Sequence, residues 1–244
     1  MTKIAIIIPS RLAAKRLPNK PLKLIDNKEM ILHVHDLAVE SKMGDVIVAS
    51  PDDKIIETVK KHGGKGVVTK KIHQTGTDRV YEVFENDLKK EPEIIINLQG
   101  DMPNLPSIAI EKLVNHMTKN ICDIGTLASN LKLAEELQDP NVCKVTLERE
   151  FVNNGFSRAI DFYRTTESTE KKIIYHHVGI YAFTNKALIR YVSLDRSKLE
   201  KERKLEQIRA LEDKMKIDVG YIDSCPLSVD TEADLVAIKE IMEK

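Results

Sequence analysis

No stretch of the 244-residue sequence is apolar for long enough to cross a bilayer: the longest purely apolar runs, such as Ile4 to Ile8, have the length of a buried strand, far below the ~20 residues a membrane helix needs. Cysteine is scarce. Cys122, Cys143 and Cys225 are odd in number and far apart, so neither a disulfide framework nor a thiolate metal site is expected. Free thiols in a reducing compartment are the expectation. An excess of one charge sign is lacking as well. The 38 Lys and Arg residues balance 38 Asp and Glu, which argues against the uniformly basic surface of a nucleic-acid binder and makes any anion site a local one. There is no Gly-x-Gly-x-x-Gly after the first strand, no Gly-x-x-x-x-Gly-Lys-Ser/Thr, no Gly-x-Ser-x-Gly and no His-Glu-x-x-His. A dinucleotide oxidoreductase, a P-loop NTPase, an α/β-hydrolase and a zincin are therefore set aside. Met1-Thr2-Lys3 leads straight into the first apolar strand without the ordered parts of a secretory signal, so a cytoplasmic protein is expected.

What is present is a βαβ rhythm. Strand-like runs at 3–9, 45–49, 66–68 and 93–98 alternate with helix-like stretches at 28–42, 52–62 and 78–90. This is the pattern of a parallel sheet covered by helices. In 28–42, Met30, Ile31, Val34, Leu37 and Ala38 fall on one face, and His33 and His35 between them have no ligand-spaced partners, so a packing or surface role is expected for both. A helix is expected at 107–118. Strand-like runs follow at 123–129, 142–147, 151–157 and 174–183, with helices at 185–192 and 199–213. The Thr-, Ser- and Glu-rich stretch around Lys171-Lys172 reads as a mobile loop. Thr231-Glu-Ala-Asp234 reads as a capping box that opens a last helix carrying Leu235, Ile238 and Met242 on one face. The length fits one domain, 1–244.

Four elements could carry chemistry. Arg11, Lys15, Arg16 and Lys20 lie within ten residues of a Pro-stiffened loop, directly after the first strand. A Lys/Arg run is often only a solvated surface, but ligands in open α/β sheets collect beyond the carboxyl ends of strands, so this loop is expected to grip phosphates. Asn97-Leu98-Gln99-Gly100-Asp101 follows another strand, where Asp101 could hold Mg²⁺ or could be an ordinary turn residue. Asp230 precedes the final helix and by itself reads as a helix-terminus acid; paired with Asp101 it would complete a two-carboxylate Mg²⁺ site. His73-Gln74-Thr75-Gly76-Thr77-Asp78-Arg79 opens a helix, with Thr77 as the expected cap, and could read a base edge or receive an anion. His176 and His177 point to opposite faces of a strand and do not share a metal, though one could donate a hydrogen bond to a substrate.

Taken in order, Pro9-Ser-Arg-Leu-Ala-Ala-Lys-Arg-Leu-Pro-Asn-Lys-Pro-Leu22, Thr75-Gly-Thr-Asp-Arg79, Asn97-Leu-Gln-Gly-Asp101, Phe156-Ser-Arg-Ala159, His177-Val-Gly-Ile-Tyr181, Leu205-Glu-Gln-Ile-Arg209 and Val229-Asp-Thr231 run almost from end to end. In these motifs the chain resembles the 3-deoxy-manno-octulosonate cytidylyltransferases, which activate Kdo as CMP-Kdo for lipopolysaccharide synthesis. The resemblance implies a Rossmann-like nucleotide-diphospho-sugar transferase fold of the α/β class: a central, mostly parallel mixed sheet with helices on both faces and a smaller strand-rich region, roughly 123–200, for sugar binding and homodimerisation. It also implies roles. Arg11 and Lys20 would be triphosphate ligands with Arg16 in support; Thr75, Gly76, Arg79 and Gln99 would line a cytidine pocket; Asp101 and Asp230 would hold Mg²⁺; Arg158, His177, Tyr181, Glu206 and Gln207 would orient the sugar acid. Arg11, Lys20, Asp101 and Asp230 are thus the catalytic set, with CTP and Kdo as substrates and neither nucleic acid nor membrane as partner.

The sequence departs from the family pattern at several positions. Met102 replaces a glutamate after Gln-Gly-Asp, Ala14 and Lys15 replace small hydroxyl residues, Asn19 replaces a glycine, Ile160-Asp161-Phe162 stands for Ile-Pro-aromatic, and Arg203 replaces an acid. These bear on which acid sugar is used more than on the reaction. Sialic acid or 8-amino-8-deoxy-Kdo as the sugar, or nucleotide binding without turnover, are the alternatives.

Overall fold

The first strand, β1 (Ile4–Pro9), has Ala5 to Ile8 buried without a polar break. A run buried on both faces belongs inside a parallel sheet. The computed structural model describes residues 2–13, 16–132, 134–165 and 173–243; Ala14, Lys15 and the Lys171-Lys172 stretch lie outside the described residues. After β1 come the hairpin strands β2 (Leu24–Ile25) and β3 (Lys28–Glu29), α1 (Met30–Glu40), β4 (Asp45–Ser50), α2 (Asp53–Lys61), β5 (Lys65–Val68), α3 (Gly76–Asn86), β6 (Ile94–Asn97) and α4 (Ile108–Lys119). Then follow β7 (Ile124–Ser129), β8 (Lys144–Leu147), β9 (Phe156–Tyr163), β10 (Ile174–Thr184), α5 (Asn185–Ser193), α6 (Lys198–Arg203), α7 (Ile208–Glu212), β11 (Ile217–Tyr221) and α8 (Glu232–Met242). The chain divides into two compact units, one made of Met1–Glu111 with Pro226–Lys244 and the other of Lys112–Cys225.

In the first unit the strands lie in the order β5-β4-β1-β6, all parallel. Pro9 is level with Ala49 and Ile7 with Asn97, so the loops after β1, β4 and β6 leave from one rim. The ladder runs slightly past the strands: Ser10 N donates to Ala49 O at 2.9 Å and Leu98 N to Ile7 O at 3.1 Å. α8 returns the chain's end to its beginning. Leu235 and Ile238 pack with Val229 against Leu17, Ile25 and Met30, so apolar burial holds the segment around Asp230 beside the first loop. The cap of α8 is the Thr231/Asp234 box read from the sequence: Asp234 N donates to Thr231 Oγ1 at 3.2 Å and Thr231 N to Asp234 Oδ2 at 2.8 Å.

The second unit carries its strands in the order β10-β7-β11-β9-β8, and β10 also pairs with β8, so the pairings close into a circuit. β7 and β11 are parallel and the other pairs antiparallel. β7 is buried throughout. Beneath the loop before β8, Lys144 is fully buried, and its ammonium donates to the carbonyls of Glu136, Asp139 and Val142 at 3.2, 2.8 and 2.8 Å.

Several expectations shift. The helix read at 28–42 is shorter, because Lys28 and Glu29 pair with the preceding strand. The strand read at 151–157 starts at Phe156; Asn153 and Asn154 adopt φ of 49° and 53°, a left-handed turn no strand accommodates. The helix read at 199–213 breaks in two at Lys204, with φ of 54°. α3 is capped by Thr75, not Thr77: Thr75 and Asp78 form a reciprocal capping box, while Thr77 is buried inside the helix and accepts from Asn97 Nδ2 at 3.0 Å. β11 was not read from the sequence, although Ile217, Val219 and Tyr221 alternate with Asp218 and Gly220; the run spans only five residues.

At Gly44 a Cβ would come within 2.4 Å of the Ile4 carbonyl oxygen, whereas at Gly179 nothing lies within 4 Å. Gly44→Ala is expected to lower unfolding stability by about 1–3 kcal/mol and Gly179→Ala by less than about 0.5 kcal/mol. Urea midpoints of the two variants check this.

Candidate active site

The rim of the first unit opens into a cavity of about 510 Å³. Its walls come from the loop after β1 (Pro9, Ser10, Arg11, Arg16, Lys20), the entry to α3 (His73 to Gly76, with Arg79), the turn after β6 (Gln99 to Asp101), and Asp230. Among the described residues of the first loop, the regular element is Lys20–Leu22, a single 3-10 turn opened by Asn19 at φ 57°. Asparagine tolerates that left-handed geometry better than most residues, which accounts for its standing where the family has glycine. Asp52, which the sequence reading passed over, pins this loop by accepting from Leu12 N at 2.8 Å.

Lys20 occupies the centre. Its ammonium donates to Asp101 Oδ2 and Asp230 Oδ1, each at 2.9 Å, and Arg16 Nη2 lies 2.9 Å from Asp230 Oδ2. Burial acts to discharge the ammonium, but the two carboxylates outweigh it and hold the Lys20 pKa above its usual value. Val229 N donates to Asp101 O at 2.9 Å, which ties the two aspartate segments together through the backbone. Asp101 and Asp230, 129 positions apart by subtraction of their numbers, thus converge on one cation.

The cavity wall also carries positive charge that is incompletely paired among the described residues. Arg79 is buried and donates to Thr69 Oγ1 and, at 2.9 Å, to Lys70 O, while its Nη2 has no hydrogen-bond partner among the described residues. Burial and then the nearby Arg11 charge push the Arg79 pKa down. Two guanidiniums in mutual repulsion beside a cavity favour an incoming anion. Ser10 Oγ, on the same wall, is likewise buried without a partner among the described residues. Gln99 is oriented from behind, since its Nε2 donates to Asn97 Oδ1 at 2.8 Å, and Asn97 in turn donates to Thr77. Thr75 gives its side chain to the helix cap, and Gly76 sits beside Gln99 and Pro9. Met102 is buried in the core, so no carboxylate is presented at that position.

The second unit holds the remaining candidates. His177 and Tyr181 are both buried on β10, with ring centroids 5.6 Å apart. Thr126 Oγ1 donates to Ile180 O at 2.7 Å and accepts from His177 Nε2 at 2.9 Å, which leaves His177 Nδ1 as an acceptor. Burial, helped by His176 and Arg164, pushes the His177 pKa down to about 3, so the ring is neutral near pH 7. Tyr181 is held well above the ordinary tyrosine value by burial and then by the Glu206 carboxylate, so its hydroxyl stays protonated. Gln207 Nε2 points at Cys143 Sγ at 3.6 Å, and Tyr191 OH anchors Glu206 through its carbonyl at 2.8 Å. Arg164, missed in the sequence reading, acts electrostatically on His177, Tyr181 and Cys143 alike. Arg158 does not join this group. It pairs with Asp218 at 3.0 Å, whose other oxygen meets His116 at 2.8 Å, on the face of the sheet shared with Gly125; His177 and Thr126 occupy the opposite face. His176 bonds Glu136 at 3.3 Å and not its neighbour's partners. Among the described residues Cys122, Cys143 and Cys225 form no disulfide. Among the described residues no helix is long and apolar enough to cross a membrane.

Comparison with known proteins shows the family. Residues 5–217 match the family model described as cytidylyltransferase. The chain is 40% identical over 234 residues to a 3-deoxy-manno-octulosonate cytidylyltransferase of Brucella ovis, covering 96% of this chain and 93% of that protein. The counterpart in Brucella anthropi is 39% identical, with 96% and 94% covered. The solved structure of a CMP:2-keto-3-deoxy-manno-octonic acid synthetase complexed with CTP superposes with a TM-score of 0.88 at 32% identity over 99% of both chains. A cytidylyltransferase of Leptospira borgpetersenii, at 17% identity and a TM-score of 0.65 over 100% of this chain and 87% of its own, shares the fold. The chain is therefore a mixed α/β nucleotidyltransferase of the cytidylyltransferase family, among the 3-deoxy-manno-octulosonate cytidylyltransferases.

Proposed function

We propose that this protein activates Kdo with CTP, forming CMP-Kdo and diphosphate, and that the observation carrying this reading is the Lys20 ammonium held between Asp101 and Asp230 at the rim of a cation-walled cavity. The anomeric C2 hydroxyl oxygen of the sugar bonds to the α-phosphorus of CTP and gives up its proton to solvent water; the bond from that phosphorus to the bridging oxygen breaks, and diphosphate departs. Such a transfer asks chiefly for positioning and charge neutralisation. Arg11, with Arg16 and Lys20 on the same loop, takes up the negative charge that accumulates on the leaving diphosphate. Arg79 and Ser10 offer polar atoms that are buried and, among the described residues, unpaired, and Gln99 and the Thr75-Gly76 backbone face the same space for the cytosine.

Two carboxylates converging within hydrogen-bonding distance of one ammonium supply the hard oxygen donors that Mg²⁺ prefers. Asp101 and Asp230 would hold the ion, which when bound polarises the α-phosphate and acidifies the attacking hydroxyl. Lys20, already engaged with both acids, holds them close together until substrate binds.

On the sugar side, neutral His177, protonated Tyr181, Glu206 and Gln207 offer donors and acceptors for hydroxyls. Arg164 provides the cation that a sugar carboxylate requires, and Arg158 serves the sheet through Asp218. Copies of the chain pair through the region around 123–200, where Val152 and Ile160 expose apolar surface that a partner would cover.

Diphosphate release with Mg²⁺ is expected from CTP and Kdo and from no other pairing of CTP, UTP, ATP or GTP with Kdo, 8-amino-8-deoxy-Kdo or sialic acid. Release with CTP and a different acid moves the sugar assignment; CTP binding without any release overturns the reaction. Asp101→Asn should lower kcat by roughly 10²- to 10³-fold with an unchanged circular dichroism spectrum, and near-normal turnover would remove Asp101 from the catalytic set. The depressed His177 pKa has a consequence for stability. The unfolded chain takes up a proton near pH 6.5 that the folded protein refuses until about pH 3, so His177 supports the fold above pH 6.5 and that support is lost as the pH falls toward 3. His177→Gln keeps a donor without titrating. The stability advantage of wild type over this variant should shrink between pH 7 and 4.5 by up to about 1.4 kcal/mol per pH unit in urea titrations.

A further inference from the structure

Asp161 in β9 and Arg203 at the end of α6, 42 positions apart, meet in an ion pair: Arg203 Nη1 lies 2.5 Å from Asp161 Oδ1. The same Nη1 donates to Phe162 O at 2.7 Å, and Asp161 Oδ1 also accepts from Phe162 N at 2.9 Å. Arg203 therefore grips both the side chain of residue 161 and the backbone of residue 162. The grip has two ends that matter. On β9 the fully buried Phe162 ring meets the edge of His177, with centroids 4.9 Å apart at 77°. On the helical side the chain leaves Arg203 through left-handed Lys204 and reaches Glu206 and Gln207 within one turn. The far side of that elbow is anchored separately, by the buried Arg209–Glu200 pair at 2.8 and 2.9 Å and by Tyr191 OH on Glu206 O.

We propose that the Asp161–Arg203 bridge is a latch that sets the spacing between the Glu206–Gln207 elbow and His177, and so the fit of the sugar acid; the inference rests on the sugar-site reading above. Both side chains are about one-third exposed, 37% for Asp161 and 30% for Arg203, and pairs in that setting add little to global stability. What the pair supplies is geometry, through a planar guanidinium that fixes the direction of both its acceptors. These are positioning residues and touch no reacting atom.

The test is a charge swap. Asp161→Arg and Arg203→Asp, singly, should each raise KM for the sugar acid by about three- to tenfold, leave KM for CTP within about twofold, and leave the thermal midpoint nearly unchanged. The double swap restores the ion pair but not the two contacts to the Phe162 backbone, so it should bring the sugar KM part of the way back, below that of either single variant. In the free protein, amide hydrogen exchange at 205–208 should quicken in the single variants and slow again in the double one. An unchanged sugar KM, equal changes in both KM values, or a double variant no better than the singles would overturn the latch. Wild type inactive with every sugar acid, but with this exchange pattern, would overturn the proposed reaction and retain the latch as a mechanical link.

Discussion

One ammonium between two carboxylates organises the first unit. Asp101 and Asp230 would repel each other as bare anions, and Lys20 turns that repulsion into a shared attraction at 2.9 Å on each side. Each member arrives by a different route. Lys20 opens the 3-10 turn that ends the first loop, Asp101 follows a buried parallel strand, and Asp230 is brought back by the apolar packing of α8 on Leu17, Ile25 and Met30. A failure in any one of these local structures would leave a charged group without its partner.

The two units differ in their electrostatics. Around the cavity of the first unit, cations predominate and some polar atoms are unpaired among the described residues, which suits a highly charged, strongly hydrated ligand whose cost of desolvation must be offset by ionic contacts. In the second unit burial keeps His177 neutral and Tyr181 protonated, so the sugar recognition proposed for this unit would work through hydrogen bonds of fixed direction with Arg164 as the nearby charge. A nucleoside triphosphate and a polyhydroxy acid make these two demands.

The departures from the family pattern have physical accounts. Asn19 adopts the left-handed backbone that glycine would otherwise supply. Met102 is absorbed into the core. Asp161 and Arg203 satisfy one another. None of these could be judged from the sequence one position at a time, because each depends on what the fold places next to it.

The strand-helix alternation of the first half, the amphipathic face of α1, the capping box of α8 and the cluster of cations in the loop after β1 were legible in the sequence, because they rest on periodicity, local hydrogen-bonding chemistry and residue order over a short stretch. The limits of local reading are equally specific: Thr75 displaces Thr77 as the cap because Asn97, from another strand, claims Thr77, and β11, a run of only five residues, carries an Asp218 that Arg158 and His116 from distant segments satisfy. The sequence alone determined the α/β class of the first unit and which residues carry charge at its rim. Only the tertiary structure decided that Lys20 stands between Asp101 and Asp230, that Arg158 faces away from His177, and that Arg203 reaches Asp161, since those pairings depend on long-range packing that no local pattern encodes.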